Sequence, residues 1–292
     1  VTLPSGAPSA PPPAGRRPAI VPPWGLVLII GGLAGAGLIL ADASLRQIAT
    51  TLSRGLLVTI LVALGAYVGA VLLGLLVALA GRSRSRVLSN AARVYVEVVR
   101  GVPVLVLLFW IAFVGAPLLV EGANLLLSPL VSAGWAREIL VRDVSLLARA
   151  VIALVIAYSA FIAEIVRAGI EAVGRGQVEA AEALGLRRWP VMRLVVLPQA
   201  IRTVMPALGN EFVAMVKDSS LVSVLGVADI TQIAKVTAAG NFRFFETYTV
   251  LAYFYLLMTV SLSLALRRLE RRLSSRGAGA RPGGQIERVP GV

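Results

Sequence analysis

The sequence predicts an all-α integral membrane protein, a polytopic helical bundle of about six transmembrane helices. Three observations carry that expectation. Of the 292 residues, 58% are hydrophobic and 15% charged, and the mean hydropathy is +0.85; soluble domains hold about 45–50% apolar and about 25% charged residues. The apolar residues fall in long runs, and a helix needs about 20 of them to cross about 30 Å of hydrocarbon. The cations gather between alternate runs, as they do in the cytoplasmic loops of membrane proteins.

Residues 1–23 are rich in Pro, Ala and Gly, with Pro11, Pro12 and Pro13 in succession. Such a stretch cannot bury enough apolar surface to order itself, so a disordered N-terminal extension is expected. A membrane domain follows over 24–270, with spans expected at 24–41, 55–80, 102–120, 146–168, 200–216 and 247–266. Arg16-Arg17, the first run and Ala41-Asp42-Ala43 also match a leader with an A-x-A cleavage site, but the run is long for a leader's apolar core, and a retained span is expected. The stretch 221–234 is too short and interrupted to cross alone; it should pack inside the bundle or re-enter from the outer face. Residues 271–292 form a basic tail.

Threading the runs in turn fixes the orientation. Of the 28 Lys and Arg residues, about 20 fall on the side of residue 1, which the retention of cations assigns to the cytoplasm. Both termini are therefore expected to be cytoplasmic.

Composition also excludes chemistries. There is no cysteine and no histidine, which removes thiol nucleophiles, Ser-His-Asp triads and the usual zinc sets. The lysines are Lys217 and Lys235, and neither stands in a Gly-x-x-x-x-Gly-Lys-Ser/Thr loop, so ATP must be handled by another chain. The net charge of +13 does not point to nucleic acid, because the arginines sit between apolar runs without interleaved aromatics. Contact with anionic lipid accounts for them better.

The long inner loop reads Gly176-Gln177-Val178-Glu179-Ala180-Ala181-Glu182-Ala183-Leu184-Gly185 and continues through Arg187, Arg188 and Trp189 to Leu197-Pro198. Gln177 to Leu184 are strong helix formers, Gly185 suits the left-handed residue that ends a helix, and Pro198 suits the first turn of the next. Ala180, Ala183 and Leu184 share one face and give it a small, smooth surface, suited to a groove on a soluble partner.

Glu-Ala-Ala, three residues, Gly, nine residues, then Val195-Val196-Leu197-Pro198 resembles the EAA loop of ATP-binding-cassette importer permeases, with Val195 where Ile is usual. Arg100-Gly101-Val102-Pro103-Val104-Leu105 resembles the RGTP segment of the polar and acidic amino-acid permeases, with Val102 in place of Thr. Glu164-Ile165-Val166-Arg167-Ala168-Gly169-Ile170, Gly176-Gln177, Leu197-Pro198-Gln199-Ala200 and Lys217-Asp218-Ser219-Ser220-Leu221 follow in that family's order, and the match covers roughly 50–270. The resemblance implies a permease subunit of an amino-acid importer in a bacterial or archaeal cytoplasmic membrane. It implies that Glu179, Ala180, Ala181, Ala183, Leu184 and Gly185 form a cytoplasmic coupling helix seated on an ATPase subunit. It also implies a second permease copy or a related permease, and an extracytoplasmic amino-acid-binding protein. No cofactor is expected on this chain, ATP and Mg belonging to the ATPase.

A charge near the bilayer centre costs at least about 2.5–3.5 kcal/mol and so is paired or functional. Glu164 and Arg167 are expected to pair within one helix, and Arg93, Glu97 and Arg100 to form a cytoplasmic ion-pair stripe. Asn210, Glu211, Lys217, Asp218, Ser219 and Ser220 lie where a broken helix is expected. There they either line the translocation path, Lys217 meeting a carboxylate and Asp218 an ammonium, or merely fix the bend.

Overall fold

The computed structural model describes residues 23–275. The expected extension before Pro23 and the tail beyond Ser275 lie outside them. The first apolar run forms α1 (Pro23–Ala41), and Asp42 then caps α2 (Ala43–Gly81), its carboxylate accepting from Leu45 N at 2.9 Å. At 39 residues α2 is about 58 Å long, twice the hydrocarbon thickness. The span expected over 55–80 is thus only its second part; Ile48 and Leu52 extend it by packing against Ile230, Ala234, Val250 and Leu251.

Ser85 caps α3 (Arg86–Gly101). Val102, held extended ahead of Pro103, breaks the chain before α4 (Val104–Trp110). A π turn over Ile111–Gly115 joins α4 to α5 (Ala116–Ser132), so the span expected to end at 120 runs on to Ser132. After the loop over 133–145 come α6 (Leu146–Glu171), α7 (Arg175–Ala183) and the short α8 (Arg188–Val191). A second π turn, Met192–Val196, leads into α9 (Leu197–Asp218). Both π turns end two residues before a proline, Pro117 and Pro198. A proline ring lacks the N–H and clashes with the carbonyl four residues back, and widening the turn by one residue relieves both.

The helix expected to break after 216 does not break there. It tightens into a 3-10 segment, Ser219–Leu225, and turns at Gly226 in the left-handed conformation. Then come α10 (Ile230–Asn241) and α11 (Phe244–Ser275). The stretch 221–234 packs inside the bundle, with Val222, Ile230 and Ala234 fully buried.

Among the described residues, five segments are long and apolar enough to cross a membrane: 43–81, 104–132, 146–171, 188–225 and 244–270. The first expected span is a shorter apolar helix, α1, tied to α11 by the Tyr253 hydroxyl on the Gly32 carbonyl at 2.9 Å. The bundle is all-α and polytopic, with five such spans and α1 where six spans were expected.

Helices in lipid gain no hydrophobic drive from each other and associate through close packing of small residues. The α2–α6 contact at the centre follows that rule, with Ala63, Ala66, Ala70 and Gly74 against Ala150, Ala153, Ala157 and Ala160. A Cβ at Gly74 would stand 2.7 Å from Ile162 Cγ2 and 2.9 Å from the Ser159 carbonyl. Gly55 does the same for α10, where a Cβ would stand 2.6 Å from Ile230 N. One turn on, Thr59 accepts from that same Ile230 N–H at 3.1 Å. The outer flank of α2 leaves Leu57, Leu61, Leu64, Leu72, Leu76 and Leu79 open, as hydrocarbon contact requires.

Candidate functional site

The loop that carries Glu179-Ala180-Ala181 folds as its local sequence dictates. After Ala183 the chain closes a Schellman turn: Gly185 takes φ +80°, Leu186 N donates to Ala181 O at 3.2 Å, and Gly185 N donates to Glu182 O at 2.9 Å. Ala181 is 5% exposed, buried with Val173, Val191, Val196 and Ala200, and Val178, Leu186 and Val195 close over that cluster. Glu179, Ala180, Ala183 and Leu184 point away from it, Leu184 being 83% exposed. The six residues expected on the coupling helix thus divide. Ala181 faces inward and anchors α7 to the start of α9, so it cannot itself face a partner. Gly185 ends the helix, and the other four form an open face.

A second group lies along the last turns of α9 and just beyond it. Glu211 and Asp218, seven residues apart, share one face, and Asn210 and Lys217 share the next. Asp218 accepts from the buried Tyr158 hydroxyl at 2.9 Å. Lys217 makes no ion pair with Asp218 and is exposed, as is Asn210. Ser219 is fully buried and donates to Val216 O at 2.8 Å, which is the hydrogen bonding of a helix end. Glu211 and Ser220 are half-buried. Lys217 and Asn210 therefore stand open on α9 and Asp218 is held by Tyr158, while Ser219 is absorbed by the backbone.

Glu164 and Arg167 pair as expected, Arg167 Nε donating to Glu164 at 2.8 Å, and Arg167 reaches Glu171 as well at 2.5 Å. The stripe of Arg93, Glu97 and Arg100 does not form ion pairs. An Arg that precedes its Glu by four residues is the less favourable order on a helix, and Arg100 lies instead over the Phe161 ring, 5.6 Å from its centroid.

Sequence patterns gave no warning of Arg149. It is 8% exposed and donates to three carbonyls: Val144 O at 2.9 Å, Ala112 O at 3.2 Å in the first π turn, and Val141 O. It thereby pins the 133–145 loop to the widened turn between α4 and α5. A lone arginine at the start of a span was the only available sign. Tyr158 and Thr59 were missed for the same reason, since their partners lie 60 and 171 residues away.

Such a bundle defines a polytopic membrane subunit with an open helical face on the loop between α6 and α9. Residues 70–275 match the family model described as a binding-protein-dependent transport system inner membrane component. The glutamine transport system permease protein of Escherichia coli K12 is 35% identical over 222 residues, covering 76% of this chain and 92% of that one. A probable amino-acid permease protein of Bacillus subtilis is 34% identical over 224 residues, covering 77% and 92%. A crystal structure of an amino acid ABC transporter with histidines superposes with TM-score 0.66 at 38% identity, covering 78% of this chain and 97% of that one. An inward-facing methionine ABC transporter, at 20% identity and TM-score 0.57, shares the fold over 76% of this chain and 96% of that one. The chain belongs to the family of binding-protein-dependent transport system inner membrane components. It is the permease subunit that forms the membrane pathway, and not itself the ATPase.

Proposed function

We propose that this permease imports amino acids, taking them from an extracytoplasmic amino-acid-binding protein and drawing on an ABC ATPase seated on α7. The observation that carries the reading is the division of α7, anchored by Ala181 and open along Glu179, Ala180, Ala183 and Leu184. A helix held on one side and smooth on the other transmits a push. Its anchor touches Val196 and Ala200, at the start of the span that carries Lys217 and Asp218. Closure of two ATPase subunits around ATP and Mg would move α7 and, through it, α6 and α9. The substrate passes between this chain and a second permease copy or a related permease, and no bond in it changes.

Along α9, Asn210, Glu211, Lys217, Asp218 and Ser220 are the groups that face or border the path, with Ser219 fixing the helix end. Lys217 meets the carboxylate of the cargo, and Asp218, oriented by Tyr158, its ammonium. The excess of cations on the side of residue 1 supports cytoplasmic termini. Uptake of a panel of labelled amino acids into vesicles holding the permease, its ATPase and its binding protein tests the reading. ATP-dependent accumulation of one or a few amino acids is expected, and no accumulation of any of them would overturn it.

A further inference from the structure

The C-terminal parts of α2 and α6 and the middle of α3 border an open cavity of about 790 Å³ lined by Arg82, Arg93, Arg167, Glu97, Glu164 and Glu171, of which Arg82, Arg93 and Glu97 are exposed. Arg167 is committed internally, forked between Glu164 and Glu171. Arg82, Arg93 and Glu97 make no ion pair with any described residue. Arg93 and Glu97 stand one turn apart on α3, so a cation and an anion rooted about 5–6 Å apart border the same space. Arg82 adds a second cation from the end of α2. Three arginines and three glutamates sum to no net charge, which suits neither an anion nor a cation. An α-amino acid, with a carboxylate and an ammonium on one carbon, presents the matching pair.

We infer that this cavity holds the zwitterionic end of an amino acid at the inner mouth of the permease, its carboxylate on Arg93 and Arg82 and its ammonium on Glu97. The inference rests on the reading of the chain as an amino-acid permease and adds a site with a regulatory consequence. A second cavity, of about 600 Å³, lies beneath α7 and shares Arg82 and Glu171 with the first. A ligand bridging α2 and α3 therefore sits one side chain away from the coupling helix. It binds this arrangement of α2, α3 and α6 and no arrangement in which they have moved, so it holds the population here. Amino acid that has reached the cytoplasm slows its own import.

The test uses the full transporter in phosphatidylglycerol vesicles, which offer no ammonium headgroup to fill the site, with ATP inside and glutamine as the probe. Vesicles preloaded with millimolar unlabelled glutamine are compared with vesicles loaded with buffer, and the initial uptake of labelled glutamine is read as a ratio. The ratio is expected to fall about threefold or more in the natural protein, and to return towards one in the double variant Arg93→Gln with Glu97→Gln. A ratio of one in the natural protein, or an equal fall in the double variant, overturns the inference. Retention of labelled glutamine by the nucleotide-free complex in nanodiscs gives a reading without turnover: loss of a saturable component in the double variant supports the site, and equal retention overturns it. Failure of buffer-loaded vesicles to take up any amino acid of a panel overturns the permease reading itself, and shows before any preloading.

Discussion

Tyr158 donates its hydroxyl to Asp218 at 2.9 Å, joining the middle of α6 to the last residue of α9. That bond, rather than a pairing with Lys217, holds Asp218. Had Lys217 and Asp218 held each other, both would be structural; with Asp218 held by Tyr158 and Lys217 exposed, the two charges are separable.

Lys217→Met is therefore expected to leave expression and thermal stability near normal while ATP-driven uptake falls at least about tenfold, the effect of losing one charged contact worth about 1.5–3 kcal/mol. Tyr158→Phe is expected to lower stability as well as uptake, because it also frees the carboxylate that meets the ammonium. It strands a carboxylate inside the bundle at a cost of about 1–3 kcal/mol, read as a lower unfolding temperature. The double variant Lys217→Met with Asp218→Asn should fold but not transport; full transport would remove both side chains from the path.

Close helix approach at Gly55 predicts a steric penalty. Gly55→Ala places a Cβ against the backbone of Ile230, which cannot yield as a side chain end would, and should cost about 1–3 kcal/mol of stability. Gly65→Ala on the same helix meets nothing within 4 Å and is the control. Thermal unfolding in detergent should separate the two, and equal behaviour would place α10 elsewhere.

Arg149 predicts a loss that lysine cannot repair. Its planar fork reaches carbonyls at positions 112, 141 and 144, whereas an ammonium is a single point of donation. Arg149→Met is expected to destabilise the outer loop by about 1–3 kcal/mol for each stranded carbonyl, with Arg149→Lys close behind. Hydrogen exchange over 133–145 would show the loosening, and unchanged protection would mean that the arginine does not hold the loop.

Orientation is open to labelling because the chain lacks cysteine. With Arg84→Cys, Gln177→Cys, Trp135→Cys and Arg276→Cys made singly, an impermeant thiol reagent outside spheroplasts should reach only the position at 135. Asn124 is avoided as a labelling position because its side chain exchanges two hydrogen bonds with Ile139 and shapes the loop. Labelling at 177 but not at 135 would invert the protein.

What the sequence reveals depends on how local the cause is. The inner helix and its Schellman turn follow from neighbours within ten residues, and both were readable. The apolar runs marked the crossings, but not that α2 begins at Ala43, because its first turns are held by residues nearly 200 positions later. The π turns follow from Pro117 and Pro198, yet proline alone signals a break as readily as a widened turn. Which face of the inner helix points outward was only half legible. Ala180, Ala183 and Leu184 are exposed together, but Ala181 is as small as its neighbours and nothing in its identity shows that it faces inward.

The division of that helix is the centre of the account, and retention of the ATPase by the permease tests it most directly. Ala183→Asp places a charge on the open face, and Gly185→Pro removes the left-handed residue and its N–H donor from the turn. Copurification of the ATPase and substrate-stimulated hydrolysis should fall together in both variants, with the permease still inserted and its unfolding temperature in Ala183→Asp unchanged. Undiminished copurification and uptake in both would contradict the assignment of this helix as the seat of the ATPase.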